Sequence, residues 1–341
     1  MAAKNISIRQ ALSDALTEEM RRDESIFILG QDIAGGAQNT EPEMYDAWGG
    51  PFGVTRGLVR KFGKQRVRDT PITEGAIVGC AAGAAASGMR PVVELMFMDF
   101  LGFCLDQLMN QASRMRYMFG GRAKVPMIVR TTIGGGFRAA AQHSHSPYSL
   151  VVHLPGLKVV TPATAADAKG LLKTALRQDD PVIFVEHKGL YEVKGPVPEG
   201  EHLVPLGKAD IAREGTDVTV VAVSKMRYVA LEAAEKLDPE GISVEVVDPR
   251  TLSPLDERTI LDSVRKTGRL VVVDEDNPRC GVAADIVAMV SRKAFDALQA
   301  APAMLTPPHT PVPFAPTLED FYLPNADRLV EIVKQLEPAH A

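Results

Sequence analysis

A chain of 341 residues exceeds the usual single-domain size, and with 45% hydrophobic and 24% charged residues it has the makeup of an ordinary globular protein with a sizeable core. A net charge of -5 and a pI near 5.9 argue against nucleic acid or an anionic membrane as the main partner, because neither is drawn to an acidic surface. Electrostatics points instead to a protein or small-molecule partner.

The amino terminus, "MAAKNISIRQALSDALTEEM", moves straight into amphipathic helix spacing without a continuous apolar core, so no signal peptide is expected and a cytoplasmic location is. β-rich runs follow at 25–30, 90–97, 126–132, 157–162 and 181–187. Between them lie helical patterns at 100–119 and 163–178. Continuous apolar strands separated by helices predict an α/β fold with a doubly wound, mainly parallel sheet. The stretch 193–205, dense in Pro, Gly and charge, reads as a linker between a domain at 1–192 and a smaller α/β domain at 206–341. In that second domain, strands at 217–224, 242–249 and 269–275 alternate with helices at 226–237, 256–267 and 281–298. The proline-rich "TPPHTPVPFAP" predicts an extended rim segment. Cys80, Cys104 and Cys280 lie far apart with no CxxC spacing and are expected as buried free thiols.

Three stretches could carry chemistry. "GGGFRA" satisfies a dinucleotide fingerprint by letter, but Pro147 cuts short any following helix and no acidic residue follows for a ribose. Its glycines are expected to let backbone approach a ligand or partner chain. "QHSHSP" places His143 and His145 two apart, a spacing open to loop, acid–base or metal roles, though no further ligand is close in sequence. In "DTPITEGAIVGCAAGAAASG", Glu74 stands in the first turn of a helix, where the macrodipole stabilises a carboxylate. Gly75, Gly79, Gly83 and Gly88 weaken that helix by up to about 1 kcal/mol each, which makes sense where something packs against it closely. No G-x-S-x-G elbow, P-loop, or GDG followed by a downstream Asn is present.

"RVRDTPITEGAIVG", "RPVVELMFMDF", "DQLMNQASRMRYMFGG", "AAAQHSHS", "LPGLKVV" and "DDPVIFVEHK" together resemble the β subunit of the thiamine-dependent E1 component of 2-oxo acid dehydrogenase complexes. "DAWGGPFGVTRGL", "EDNPRCG" and "TPPHTPVPFA" are most similar to its acetoin dehydrogenase branch. The resemblance implies a transketolase-like architecture, a pyrimidine-binding domain followed by a transketolase C-terminal domain. It further implies an α subunit that supplies the magnesium–diphosphate site in an α2β2 heterotetramer, which accounts for the missing GDG. Thiamine diphosphate is the implied cofactor, with its pyrimidine half on this chain.

Under that resemblance Glu74 matches the glutamate that shares a proton with N1′ of the aminopyrimidine, and Phe100 the aromatic packed on that ring. His143 matches a histidine near the reacting carbon, and the role of His145, where relatives often carry Gln, stays open. Gln31 stands where relatives commonly have Glu, and glutamine cannot relay a proton. A potassium ion bound through 175–180 is left open, because Gln178 replaces a frequent Asp. The expected activity is cleavage of acetoin with oxidative transfer of a two-carbon unit to E2 lipoamide. The alternatives are pyruvate or a branched-chain 2-oxo acid as substrate, or a scaffold that binds the α subunit or E2 without chemistry.

Overall fold

The computed structural model describes residues 3–36 and 49–336, so the first three residues of "DAWGGPFGVTRGL" lie outside the described residues. The chain divides into two compact units, residues 1–133 with 150–206, and residues 134–149 with 207–341.

In chain order the first unit carries β1 (Ala3–Ser7), α1 (Ile8–Arg22), β2 (Ile26–Gly30), α2 (Leu58–Phe62), β3 (Val67–Asp69), α3 (Glu74–Ala86), β4 (Arg90–Leu95), α4 (Met115–Met118), β5 (Ile128–Ile133), the one-turn α5 (Ser149–Val152) at its margin, β6 (Lys158–Val160), α6 (Ala165–Leu176), β7 (Val182–His187) and β8 (Lys194–Pro198). Its sheet runs β6-β7-β5-β4-β2-β3 with every pairing parallel. β2, β5 and β7 are buried along their whole length, as strands covered on both faces must be, and this is why they read as mainly apolar runs. α6 begins where the Thr164 hydroxyl accepts the N–H of Asp167 and donates to its carboxylate. The expected linker is not free of structure: β8 pairs antiparallel with β1.

The segment 100–119, expected as one helix, is broken into a 3₁₀ stretch (Met98–Cys104), a π-helical stretch (Gln107–Ala112) and α4. It follows the surface of α3 so closely that regular α geometry is lost, its backbone at Phe103 lying against Gly75.

The second unit carries β9 (Asp210–Arg213), β10 (Val218–Ala222), α7 (Met226–Leu237), β11 (Val244–Asp248), β12 (Thr251–Ser253), α8 (Glu257–Thr267), β13 (Leu270–Val273), α9 (Val282–Lys293), β14 (Ala303–Leu305), α10 (Pro316–Tyr322) and α11 (Ala326–Lys334). Its sheet has the order β14-β13-β10-β11-β9, with only β9 antiparallel. Alternation along β10 divides the two faces. Val218, Val220 and Ala222 enter the core formed with α7 and α11, whereas the Thr219 hydroxyl meets Ser263 and Thr267 of α8. The proline-rich 306–315 forms neither helix nor strand, and Pro316 opens α10, where a missing N–H costs nothing.

Candidate active site

Parallel strands deliver their carboxyl ends, and the residues just beyond them, to one edge of the sheet, where open α/β sheets bind ligands. In the first unit that edge holds the segment from β3 into α3, the turn after β4 with Phe97 and Phe100, and the end of β7 with His187 and Lys188. Glu74 is the first residue of α3, half-buried, with Thr73 before it making no side-chain cap. Its carboxylate lies near Cys104, whose thiol is pushed up to about 12 by burial and then by the Glu74 charge.

The small residues of α3 have two explanations. A Cβ on Gly75 would stand 2.8 Å from the Phe103 carbonyl oxygen, and one on Gly79 would stand 3.3 Å from Gln107 Cγ, so these glycines admit the chain's own segment 98–112. On the neighbouring outer face Ala76, Cys80 and Gly83 are exposed, and a Cβ on Gly83 would meet nothing within 4 Å. Ile72 (73% exposed) and Phe103 (71%) extend this apolar surface. The expectation of buried cysteines therefore holds for Cys104 alone, since Cys80 and Cys280 are exposed on an outer helix face and a left-handed turn.

Phe100 sits edge-on to Phe97, which sits edge-on to Phe52, which stacks on Tyr191 at 5.1 Å. Lys188 Nζ lies 5.1 Å over the Phe97 ring. Beneath these aromatics is an ion network that sequence reasoning missed. Arg130 on β5 grips Glu186 on β7 with two bonds of 2.7 and 2.8 Å and donates to Glu94 on β4 at 2.8 Å. Tyr191 donates to Glu186 at 2.6 Å. Burial pushes the Glu94 carboxyl above its ordinary value, Glu186 adds to that, and Arg130 opposes it. Gly50 is required here: at φ +75 its Cβ would lie 2.3 Å from Glu94 Oε1.

His143 lies in the second unit, half-buried in the segment 134–149, its N–H 3.4 Å from the Ala140 carbonyl. The "GGG" turn ahead of it closes on the chain's own carboxylates. Gly135 N–H meets Glu275 at 3.0 Å and Gly136 N–H meets Glu319 at 2.7 Å. Burial raises the Asp276 carboxyl against the bond it accepts from Ser149, and His145 lies near enough to oppose that rise. Asp274, fully buried, is pushed up to about 7 by burial and then by Asp276, against the Tyr148 hydroxyl that donates to it. Among the described residues no group of three or more His, Cys, Asp or Glu is arranged to hold a metal ion. Gln31, at the end of β2, gives its amide to Asp32 at 3.2 Å.

The comparisons with known proteins cover both units. A transketolase pyrimidine binding domain matches residues 4–194 and a transketolase C-terminal domain matches 207–329. The chain is 54% identical over 99% of its length to the β subunit of acetoin:2,6-dichlorophenolindophenol oxidoreductase from Bacillus subtilis, spanning 99% of that protein, and 55% identical to the Cupriavidus necator counterpart over 98% of each. The pyruvate dehydrogenase E1 component subunit beta of Rickettsia felis is 43% identical over 97% of this chain and 98% of its own. The chain belongs to the E1 β-subunit family. A solved split-gene transketolase, described as an inactive beta4 tetramer, superposes with a TM-score of 0.76 at 25% identity over 97% of this chain and 98% of its own.

Membership brings thiamine diphosphate use and an α-subunit partner. The first unit fits the aminopyrimidine half: Thr70 Oγ1, on the segment leading into α3, and Gln107 Oε1, against Gly79, are buried polar atoms with no hydrogen-bond partner. A polar heterocycle would satisfy such groups. The segment 175–180 does not fit a potassium ion. Arg90 takes the carbonyls of Leu176 and Gln178 at 3.2 and 2.7 Å, Val125 N–H takes that of Asp179 at 3.0 Å, and Lys158 takes Gln178 Oε1 at 2.8 Å. Asp179 pairs with Arg90 and Lys124, and Asp180 with Arg116 and Lys158. Cations of the chain itself already fill the place. No described helix is long and apolar enough to cross a membrane.

Proposed function

We propose that this chain is the β subunit of a cytoplasmic α2β2 E1 enzyme that cleaves acetoin and passes a two-carbon unit to the lipoyl group of an E2 partner. The observation that carries acetoin over the alternatives is the gradient of similarity, 54–55% to the acetoin oxidoreductase β subunits against 43% and 40% to those acting on pyruvate and 2-oxoisovalerate. In the reaction the bond between the carbonyl and carbinol carbons breaks and acetaldehyde leaves. The remaining fragment is oxidised to an acetyl group while the lipoyl disulfide is reduced.

Thiamine diphosphate, when bound, supplies the carbon nucleophile and the electron sink. Glu74 holds a proton at its carboxyl against the aminopyrimidine, from a helix N-terminus that fixes its direction. Phe100 offers a half-exposed ring face steadied by Phe97. His143 gives or takes a proton beside the reacting carbon, a role suited to imidazole near neutral pH. The α subunit carries the magnesium–diphosphate half, and the exposed apolar face of α3, with Ile72 and Phe103, supports a second chain seated there. No step is assigned to potassium.

The test is turnover of the reconstituted α/β pair with an artificial electron acceptor on acetoin, diacetyl, pyruvate and 2-oxoisovalerate. Acetoin should be preferred, and inactivity on it beside good activity on an oxo acid overturns the assignment. Glu74→Ala should cost about 10²–10⁴-fold in turnover, the usual loss for a positioned acid or base, while a loss within tenfold refutes its role.

A further inference from the structure

The segment that carries His143 is clamped at both ends by carboxylates remote in sequence. At its start Glu319, fully buried on α10, accepts the N–H of Gly136 at 2.7 Å, the N–H of Arg138 at 3.2 Å and the Arg138 guanidinium at 2.6 Å. Arg138 also reaches Asp320 at 2.7 Å, and Glu275 accepts the N–H of Gly135 at 3.0 Å. At its end the hydroxyls of Tyr148 and Ser149 donate to Asp274 and Asp276. Between these anchors Arg138 and Ala140 hold left-handed backbone, φ 55 and 60, conformations that non-glycine residues keep only where the surroundings impose them.

We infer that Glu319 is a positioning residue for His143: its carboxylate binds the backbone and side chain of the strained turn from which the histidine is presented. This rests on the role given to His143 above. Successive N–H groups with a guanidinium form an anion cradle, and bonds to an ionised carboxylate are roughly twice as strong as neutral ones. Glu319 fills that cradle from inside the unit. The fit is close enough that a Cβ on Gly135 would stand 2.9 Å from Leu323 Cδ2 and 3.4 Å from Glu319 Oε1. A glutamine in place of Glu319 keeps one acceptor but turns an amide NH2 toward N–H donors, so it cannot serve both sides.

The experiment uses the full chain and its reconstituted α/β holoenzyme, with Glu319→Gln, His143→Ala and the double variant. Hydrogen exchange at residues 135–138 should quicken about tenfold or more in Glu319→Gln, with thiamine diphosphate affinity unchanged. Turnover should fall toward 10²-fold, the effect of a misplaced group, and the double variant should be no slower than His143→Ala. Additive losses in the double variant, or unchanged exchange at 135–138 beside an impaired His143→Ala, overturn the inference. Full turnover in His143→Ala instead overturns the histidine's role and the link from the clamp to activity. Should Glu319→Gln not fold, Arg138→Met removes the guanidinium and leaves the backbone bonds, and must show the same non-additivity.

Discussion

Replacing Arg130 by Met tests whether the first unit is held by a balanced ion cluster. The guanidinium is 2% exposed and makes three hydrogen bonds, two to Glu186 and one to Glu94. Burial works against its charge, but Glu186 and then Glu94 outweigh that and raise its pKa above the ordinary value. Methionine fills much of the volume yet leaves two buried carboxylates facing each other, with the Tyr191 hydroxyl still donating to Glu186. Breaking a buried pair by removing one partner costs about 3–5 kcal/mol, a large share of the 5–15 kcal/mol that typically holds a domain together.

The pH dependence follows from Glu94, whose folded-state pKa is already raised. A raised acid contributes stability below its unfolded pKa and loses it as pH rises through the folded one. Without Arg130 the Glu94 carboxyl resists ionisation further, so Arg130→Met should lose most at pH 8 and less at pH 5.5. Adding Glu186→Gln should recover part of the loss. Hydrogen exchange of the β4, β5 and β7 amides in urea reads this unit by itself. A loss under about 1 kcal/mol, or one equal at both pH values, would show that the cluster contributes no buried-charge energy.

Gly75→Ala should destabilise, because overpacking against the Phe103 carbonyl costs about 1–3 kcal/mol and exceeds a helix gain of up to about 1 kcal/mol; Gly83→Ala, in open space on the same helix, should stabilise the isolated chain by about 0.5–1 kcal/mol, and urea midpoints moving together would refute the contrast. Asp274, raised from 3.8 to about 7 with Asp276, Glu275 and Tyr148 around it, should make stability fall as pH rises between those values. The slope is at most about 1.4 kcal/mol per pH unit from this group. Asp274→Asn should flatten it, and an unfolding temperature with the same pH slope in both proteins would remove Asp274 as the cause. Exchanging KCl for NaCl at equal ionic strength should leave the unfolding temperature unchanged. An ion held at 100 times its Kd would add about 2.7 kcal/mol, so a potassium-specific rise would refute the self-filled site.

The α/β architecture was legible because parallel strands covered on both faces are mostly apolar, and β2, β5 and β7 are buried along their whole length. The broken helix at 98–118 was not, since its 3.6-residue apolar period survives the distortion imposed by α3. The place of Glu74 at the start of a helix was legible from the residues around it. The small residues after it signalled a close approach without naming what approaches. Here it is the segment 98–112 on one side. The Arg130 cluster did leave a signal: Glu94, Arg130 and Glu186 are charges inside strands rich in Val and Ile, and an interior charge needs an interior partner.

The segment 134–149 shows where sequence and structure divide a chain differently. The pyrimidine-domain match runs through it without a break, from 4 to 194, yet its compact unit is the one that contains 207–341. The match follows the order of residues, while compactness follows their bonds. The bonds that fix this segment span 126 to 183 positions, to Asp274, Glu275, Asp276 and Glu319. A triple glycine and a Tyr-Ser pair give no hint of partners so distant. What they do give is a requirement, N–H and O–H donors in a segment without a strand or long helix to pair them, and buried donors must be satisfied. Four carboxylates of one unit meet that requirement, so the histidine assigned to the chemistry of the first matched domain is held in place by residues of the second.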